Sequence, residues 1–119
     1  MASIKENVEQ LNQMILSGDI LGAFEKYYGE EVIMQDNNTP ERVGKTSCRE
    51  FEKEFVNSLT AFRGAKVRNV MVSEDAGVSV VEWDFDYTHK DWGDRNYTQV
   101  AVQEWKNGQI IRERFVYQN

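Results

Sequence analysis

The chain is predicted to fold as an α+β domain in which three helices, all in the N-terminal half, pack on one face of a curved, mostly antiparallel sheet. Three features of its 119 residues lead there. Apolar residues recur at helical spacing up to Leu59; from Ala65 onward they alternate with polar ones; and Asn107-Gly108 divides two runs rich in Val, Ile and aromatics. Asn-Gly between such runs is the strongest short-range signal for a β-hairpin.

Ser3-Ile4-Lys5-Glu6 has the form of a capping box. Ile4, Val8, Leu11 and Ile15 then recur at spacings of an amphipathic helix, which should end at Gly18. Asp19 can cap a second helix whose apolar face is Ile20, Ala23, Phe24, Tyr27 and Tyr28, with Gly29 as its stop. Val32 to Asp36 reads as a short strand, followed by a polar loop from Asn37 to Arg42 containing the only proline, Pro40. Ser47-Cys48-Arg49-Glu50 repeats the capping-box pattern, and Cys48, Phe51, Phe55 and Leu59 form one face of a third helix, with Phe62 packing just beyond its end. Strands are expected near Lys66–Ser73, Val78–His89, Asn96–Lys106 and Gln109–Tyr117, separated by turn residues. Residues 1–119 should form a single domain, since no linker, repeat or low-complexity tract interrupts the pattern.

Composition narrows the function classes. Asp and Glu outnumber Lys and Arg by 20 to 14, a net charge of −6 with no basic cluster, which argues against a nucleic-acid partner. The single cysteine, Cys48, excludes an intramolecular disulfide, and with no histidine close to it in sequence it reads as a small buried helix residue in a reducing, cytoplasmic setting. No apolar run is long enough to span a bilayer, and the N-terminus lacks the apolar segment of a signal peptide, so no membrane partner is expected. One His and one Cys do not supply the usual metal-ligand spacings, and neither a phosphate-binding Gly-rich loop nor a nucleophile elbow is present, so neither metal nor cofactor is expected.

The hairpin also carries the candidate pocket. Its polar Gln99, Gln103 and Glu113 are interleaved with Tyr97, Trp105, Phe115 and Tyr117, the composition of a wall that holds a few polar groups among apolar ones. Which of them share a face depends on register, because a slip of one residue moves a whole strand to the other side. A two-residue loop puts Trp105 opposite Ile110 and leaves Glu113 beside Val102. A three-residue loop with a glycine bulge puts Trp105 opposite Gln109, Gln103 opposite Ile111 and Ala101 opposite Glu113. The second is preferred, because it gathers Tyr97, Gln99, Gln103, Trp105, Glu113, Phe115 and Tyr117 on one side, where glutamines and tyrosines can donate to a buried carboxylate. It sends Arg112 and Arg114 outward, near Glu104.

Val81, Trp83, Phe85, Tyr87 and His89 alternate with Glu82, Asp84, Asp86 and Thr88. The aromatic set should face the helices and the cavity. Same-face carboxylates on a strand stand roughly 7 Å apart in an open row, unlike a calcium loop, so the acidic set reads as a solvated face neutralised by Lys106, Arg112 and Arg114. His89, the only histidine, could shuttle protons but reads more simply as a structural or surface residue.

The order of elements resembles the nuclear transport factor 2-like superfamily, specifically SnoaL-like proteins, relatives of ketosteroid isomerases and polyketide cyclases. The resemblance rests on Ser17-Gly18-Asp19, on Tyr28 through Asp36, on Val43-Gly44-Lys45 and on Asn107 through Ile111, and it spans nearly the whole chain. It implies a cone of curved sheet closed by helices, an internal cavity and a homodimer through the outer sheet face, where Val100, Val102, Ile110 and Val116 would meet a second copy. Asp36 looks like the isomerases' proton-transferring aspartate. The helix-one tyrosine that donates to the enolate oxygen falls at Leu11, and the second acid of the oxyanion hole falls near Ala101. Loss of both donors argues against steroid isomerase chemistry of the familiar kind.

The expected ligand is a small apolar or carbonyl-containing molecule, lined by Tyr28, Met34, Phe55, Trp83, Phe85, Tyr87, Gln99, Gln103, Trp105, Phe115 and Tyr117. If the protein is an enzyme of isomerase, cyclase or dehydratase type, Asp36 or Glu113 is the general base. The competing expectations are that both acids are structural and that the domain is a non-catalytic ligand-binding or dimerisation module.

Overall fold

The structure is a computed structural model and describes residues 2–118. Ser3 caps α1 (Ile4–Leu16) by accepting from the Glu6 amide, and Glu6 returns the bond to the Ser3 amide, so the predicted capping box is formed. Asp19 caps α2 (Ile20–Tyr27) through the Gly22 amide at 3.0 Å. The helix ends at Tyr27 rather than at Gly29, because β1 (Tyr28–Asp36) begins at once and takes Tyr28 and Gly29 into the sheet.

A two-residue β2 (Arg42–Val43) pairs back onto β1 and leads into α3 (Lys45–Asn57). The predicted cap at Ser47 is not used: the helix starts three residues earlier than that cap implies, with Gly44 at its N-cap in a positive-φ conformation and without a side-chain cap. After α3 the chain enters β3 (Leu59–Ser73) directly, so Leu59 and Phe62 belong to a strand and not to the helix end. β4 (Val78–His89) and β6 (Gln109–Tyr117) have their predicted bounds, and β5 (Gly93–Lys106) starts three residues early.

The sheet runs β2-β1-β6-β5-β4-β3, with β1 parallel to β6 and every other pair antiparallel. Its concave face meets the helices in a core of Val8, Leu11, Phe24 and Tyr27 against Val32, Trp83, Trp105 and Ile110. Burial of such apolar surface is the main stabilising term in a domain of this size. The edge strand β3 shows three register breaks against β4, bending a long strand that would otherwise offer a flat unpaired edge.

The hairpin starts in the first of the two registers weighed from sequence and then shifts to one that neither described, which puts Glu113 on the same face as Gln103 as the preferred one did. Asn107 and Gly108 both have positive φ, 53° and 76°, which a two-residue primed turn requires, and Trp105 pairs with Ile110. One residue further on, Ile111 is inserted as a bulge, so Glu104 pairs with Arg112, Gln103 with Glu113, Ala101 with Phe115 and Gln99 with Tyr117. Glu113 thus stands opposite Gln103, where the sequence expectation placed Ala101. The bulge also reverses the alternation at its own position. Ile110, expected on the outer face, is fully buried, and Ile111 is the exposed one.

The acidic row of β4 is neutralised, but not by the predicted residues. Arg63 and Arg68 of β3 reach Asp86 and Asp84 at 2.8 and 3.3 Å, and Asn69 donates to Glu82. Arg112 turns instead to Glu41 and Glu104, and Arg114 to the Asn37 carbonyl and the Asn38 side chain.

Candidate functional site

Between the helices and the concave sheet lies a cavity of about 500 Å³. Strand alternation builds its wall, since every second residue of β5 from Arg95 to Gln103 faces inward, as do Trp83, Phe85 and Tyr87 of β4 and Glu113, Phe115 and Tyr117 of β6. Leu11, Phe24, Phe51 and Phe55 close it from the helices. Of the eleven residues expected as lining, ten border the cavity; Trp105 does not. It lies one layer deeper, edge-on to Tyr27, because the chain turns back at Asn107 before the cavity begins.

Glu113 sits at the closed end and is 2% exposed. The Tyr28 hydroxyl donates to one carboxyl oxygen, and the Gln103 amide donates to the other at 2.7 Å. Gln103 is itself oriented by a relay: the Trp105 indole N–H donates to Ser79 Oγ at 2.8 Å, and Ser79 donates to the Gln103 carbonyl at 2.6 Å. Trp105 therefore supports the site from behind. Burial pushes the Glu113 carboxyl up to about 7, against the pull of its two hydrogen bonds. The Tyr28 hydroxyl is held far above its usual value by burial and by the Glu113 charge.

Asp36 also borders the cavity but is fully engaged. Arg42 contacts one oxygen at 2.9 Å, the Tyr117 hydroxyl donates to the other at 2.6 Å, and the Arg42 guanidinium lies over the Phe51 ring at 3.7 Å. Burial and the bond to Asp36 raise the Tyr117 hydroxyl.

Sequence reading missed Glu52. This α3 carboxyl borders the cavity and has no hydrogen-bond partner among the described residues. Burial, then the charge of Glu113, push it up to about 8. The signal was present: position 52 lies four residues after Cys48 and three before Phe55, within the apolar stripe and not on the solvated face of the helix.

Leu11 and Ala101 both border the cavity, so the positions matched to the isomerase donors do face inward and carry no donor. His89 is buried, stacked on Trp92 at 3.7 Å, with its Nδ1 accepting from the Asp91 amide, a structural arrangement at the far end of β4. Cys48 is buried, its thiol pushed up mainly by burial. Among the described residues no group of three or more His, Cys, Asp or Glu could hold a metal ion, and no helix is long and apolar enough to cross a membrane.

The residue pattern of the SnoaL-like domain matches this chain over residues 8–113. No curated protein matches it. Among solved structures, a Mesorhizobium loti protein described as a candidate SnoaL-like polyketide cyclase is 24% identical, with 96% of this chain and 98% of that one covered and a TM-score of 0.84. A candidate isomerase from Bacillus subtilis is 18% identical, covering 95% and 84% of the two chains at a TM-score of 0.77. A nuclear transport factor 2-like protein of unknown function from Burkholderia pseudomallei is 13% identical, covering 99% and 92% at 0.81. At such identities the likeness shows the fold alone.

Proposed function

Starting from the fact that this chain belongs to the SnoaL-like domain family, we propose that its cavity binds a small, mostly apolar carbonyl compound and transfers a proton at the carbon next to that carbonyl. One observation carries this reading. Three carboxyl groups border the same apolar cavity: Asp36 is locked by Arg42 and Tyr117, Glu113 is held by the Tyr28 and Gln103 donors, and Glu52 has none. Hydrogen bonds donated to a carboxyl favour its ionised form, so Glu113 is the base, and Glu52, without donors, keeps the proton.

The chemistry balances with these two residues. The Glu113 carboxylate takes the proton from the carbon, the C–H electron pair moves into the new C=C bond, and the carbonyl π pair moves to oxygen, which receives the proton of Glu52. Glu52 thereby supplies the oxygen-side donor that Leu11 and Ala101 lack. Asp36, locked by Arg42 and Tyr117, is a positioning residue that shapes the mouth, in place of the catalytic role expected for it. Isomerisations, cyclisations and dehydrations of carbonyl compounds share this step.

The test is the pH dependence of solvent deuterium exchange into apolar ketones that raise the melting temperature. The rate is expected to rise as Glu113 ionises around 7 and fall as Glu52 ionises around 8, the two acting as one coupled pair. In Glu52→Gln the alkaline limb should vanish and the maximum should drop. Ketones that stabilise the protein yet never exchange would leave the second reading, a binding module. The engagement of both Glu113 oxygens within the fold favours that reading.

We also propose that two copies pair through the outer sheet face. The exposed Ile111 and Val116 lie there, the latter opposite Val100. Sedimentation equilibrium should give twice the monomer mass of 13.9 kDa; a monomer would overturn the pairing.

A further inference from the structure

The concave row of β5 extends outward beyond the acids. Arg95 shares its face with Tyr97, Gln99, Ala101 and Gln103, and it is the one basic side chain among the described residues that border the cavity. Its guanidinium lies over the Tyr97 ring at 4.8 Å, and its Nε is buried without a hydrogen-bond partner. Every other arginine is engaged: Arg42, Arg49, Arg63, Arg68 and Arg112 each reach a carboxylate, and Arg114 binds two loop oxygens. No carboxylate stands within ion-pair distance of Arg95 among the described residues. A half-buried guanidinium with spare donors on a cavity wall leaves a place for an anion, and its planar fork matches a carboxylate.

The place of Arg95 defines the shape of the molecule. Trp92, 55% exposed, borders the cavity close to Arg95 in the chain and marks the open end, whereas Glu113 and Gln103 lie at the closed end. Gln103 lies eight positions along β5 from Arg95, a path of about 26 Å along an extended strand, which sheet curvature and the reach of the side chain shorten. The wall between them is aromatic and aliphatic apart from Gln99: Tyr97, Phe85, Trp83, Ala101 and Phe115. Resting on the binding reading above, we propose that the ligand is an elongated apolar carboxylic acid, its carboxylate held by Arg95 at the mouth and its apolar body running inward toward Glu113. Burial holds Glu52 largely protonated at neutral pH and Glu113 below it, and the ionised fraction of Glu113 stands at the closed end, away from the mouth.

Tryptophan fluorescence titrations at neutral pH with dodecanoate and with dodecan-1-ol, a pair matched in length, test the assignment. The wild type is expected to bind the acid about tenfold or more tightly than the alcohol, the size of one charge-assisted interaction. Arg95→Gln should lose that preference while keeping the wild-type affinity for the alcohol, which also reports that its cavity is intact. Equal wild-type affinities, or an acid preference that survives in Arg95→Gln, overturn the carboxylate assignment and leave apolar binding standing. Failure of the wild type to bind either probe overturns both.

Discussion

Glu113→Gln is expected to lower the rate of carbon-proton exchange by about 10²–10⁴-fold, the usual contribution of a positioned general base, while ketone binding stays within a few-fold of wild type. The substitution preserves shape and can preserve the network. The new amide oxygen can accept from Tyr28, and its NH₂ can donate to Gln103 once the Gln103 amide turns over. Gln103 then donates to Ser79, whose oxygen can accept from both Gln103 and Trp105. Glu113→Ala should behave differently. It strands the Tyr28 hydroxyl and the Gln103 amide in a buried place, costing about 1–3 kcal/mol of stability in addition to activity. Exchange rates and urea midpoints measured on both variants separate a lost base from a damaged fold.

The second large effect is on stability against pH. A carboxyl whose folded value is raised binds more protons in the native state than in the unfolded chain at every pH between the two values. Its contribution is therefore fully present below the ordinary value of 4.5 and is lost as pH rises through the folded value of about 7 for Glu113. At about 1.4 kcal/mol per unit, the loss is on the order of 3 kcal/mol. Glu52 acts in the same direction, through about 8. Glu6, Glu25 and Asp84, whose values are lowered by hydrogen bonds from Ser3, Arg49 and Thr98, act in the opposite direction, losing stability as pH falls. Glu6, Glu25 and Asp84 are common to wild type and Glu113→Gln, so the difference between the two unfolding profiles reads Glu113 together with its coupling to Glu52. That difference should favour the variant increasingly as pH rises from 4.5, and level off above about 8, once Glu52 has also ionised. A flat difference would mean that Glu113 titrates alike in both states.

Most of the fold was readable because its signals are local. Caps at Ser3 and Asp19, the period change after α3 and the Asn107-Gly108 turn each act within a few residues. What escaped depends on contacts distant in sequence or on strand parity. The start of β3 at Leu59 is set by pairing with His89, and nothing between Leu59 and Ala65 alternates cleanly enough to announce it. The bulge at Ile111 has no sequence marker, since Ile110 and Ile111 are the same residue and only the buried demand of Glu113 tells them apart. For the site, the inward row of β5 and β6 followed from alternation, yet the division of labour did not. Asp36 matched a catalytic position, but the chain brings Arg42 back onto it through β2, a strand too short to be foreseen. Glu52 was hidden among charged neighbours of α3 whose side chains do point to water.

The central claim is that Glu113 holds and releases a proton near neutral pH at the closed end of an apolar cavity. A ¹³C NMR titration of the glutamate carboxyl carbons, with Glu113→Gln used to assign the resonance, reads this directly. A buried carboxyl is expected to titrate with an apparent midpoint near 7, shifted when Glu52→Gln removes its neighbour. A midpoint in the ordinary carboxylate range near 4.5 would leave Glu113 a structural ion and contradict the account.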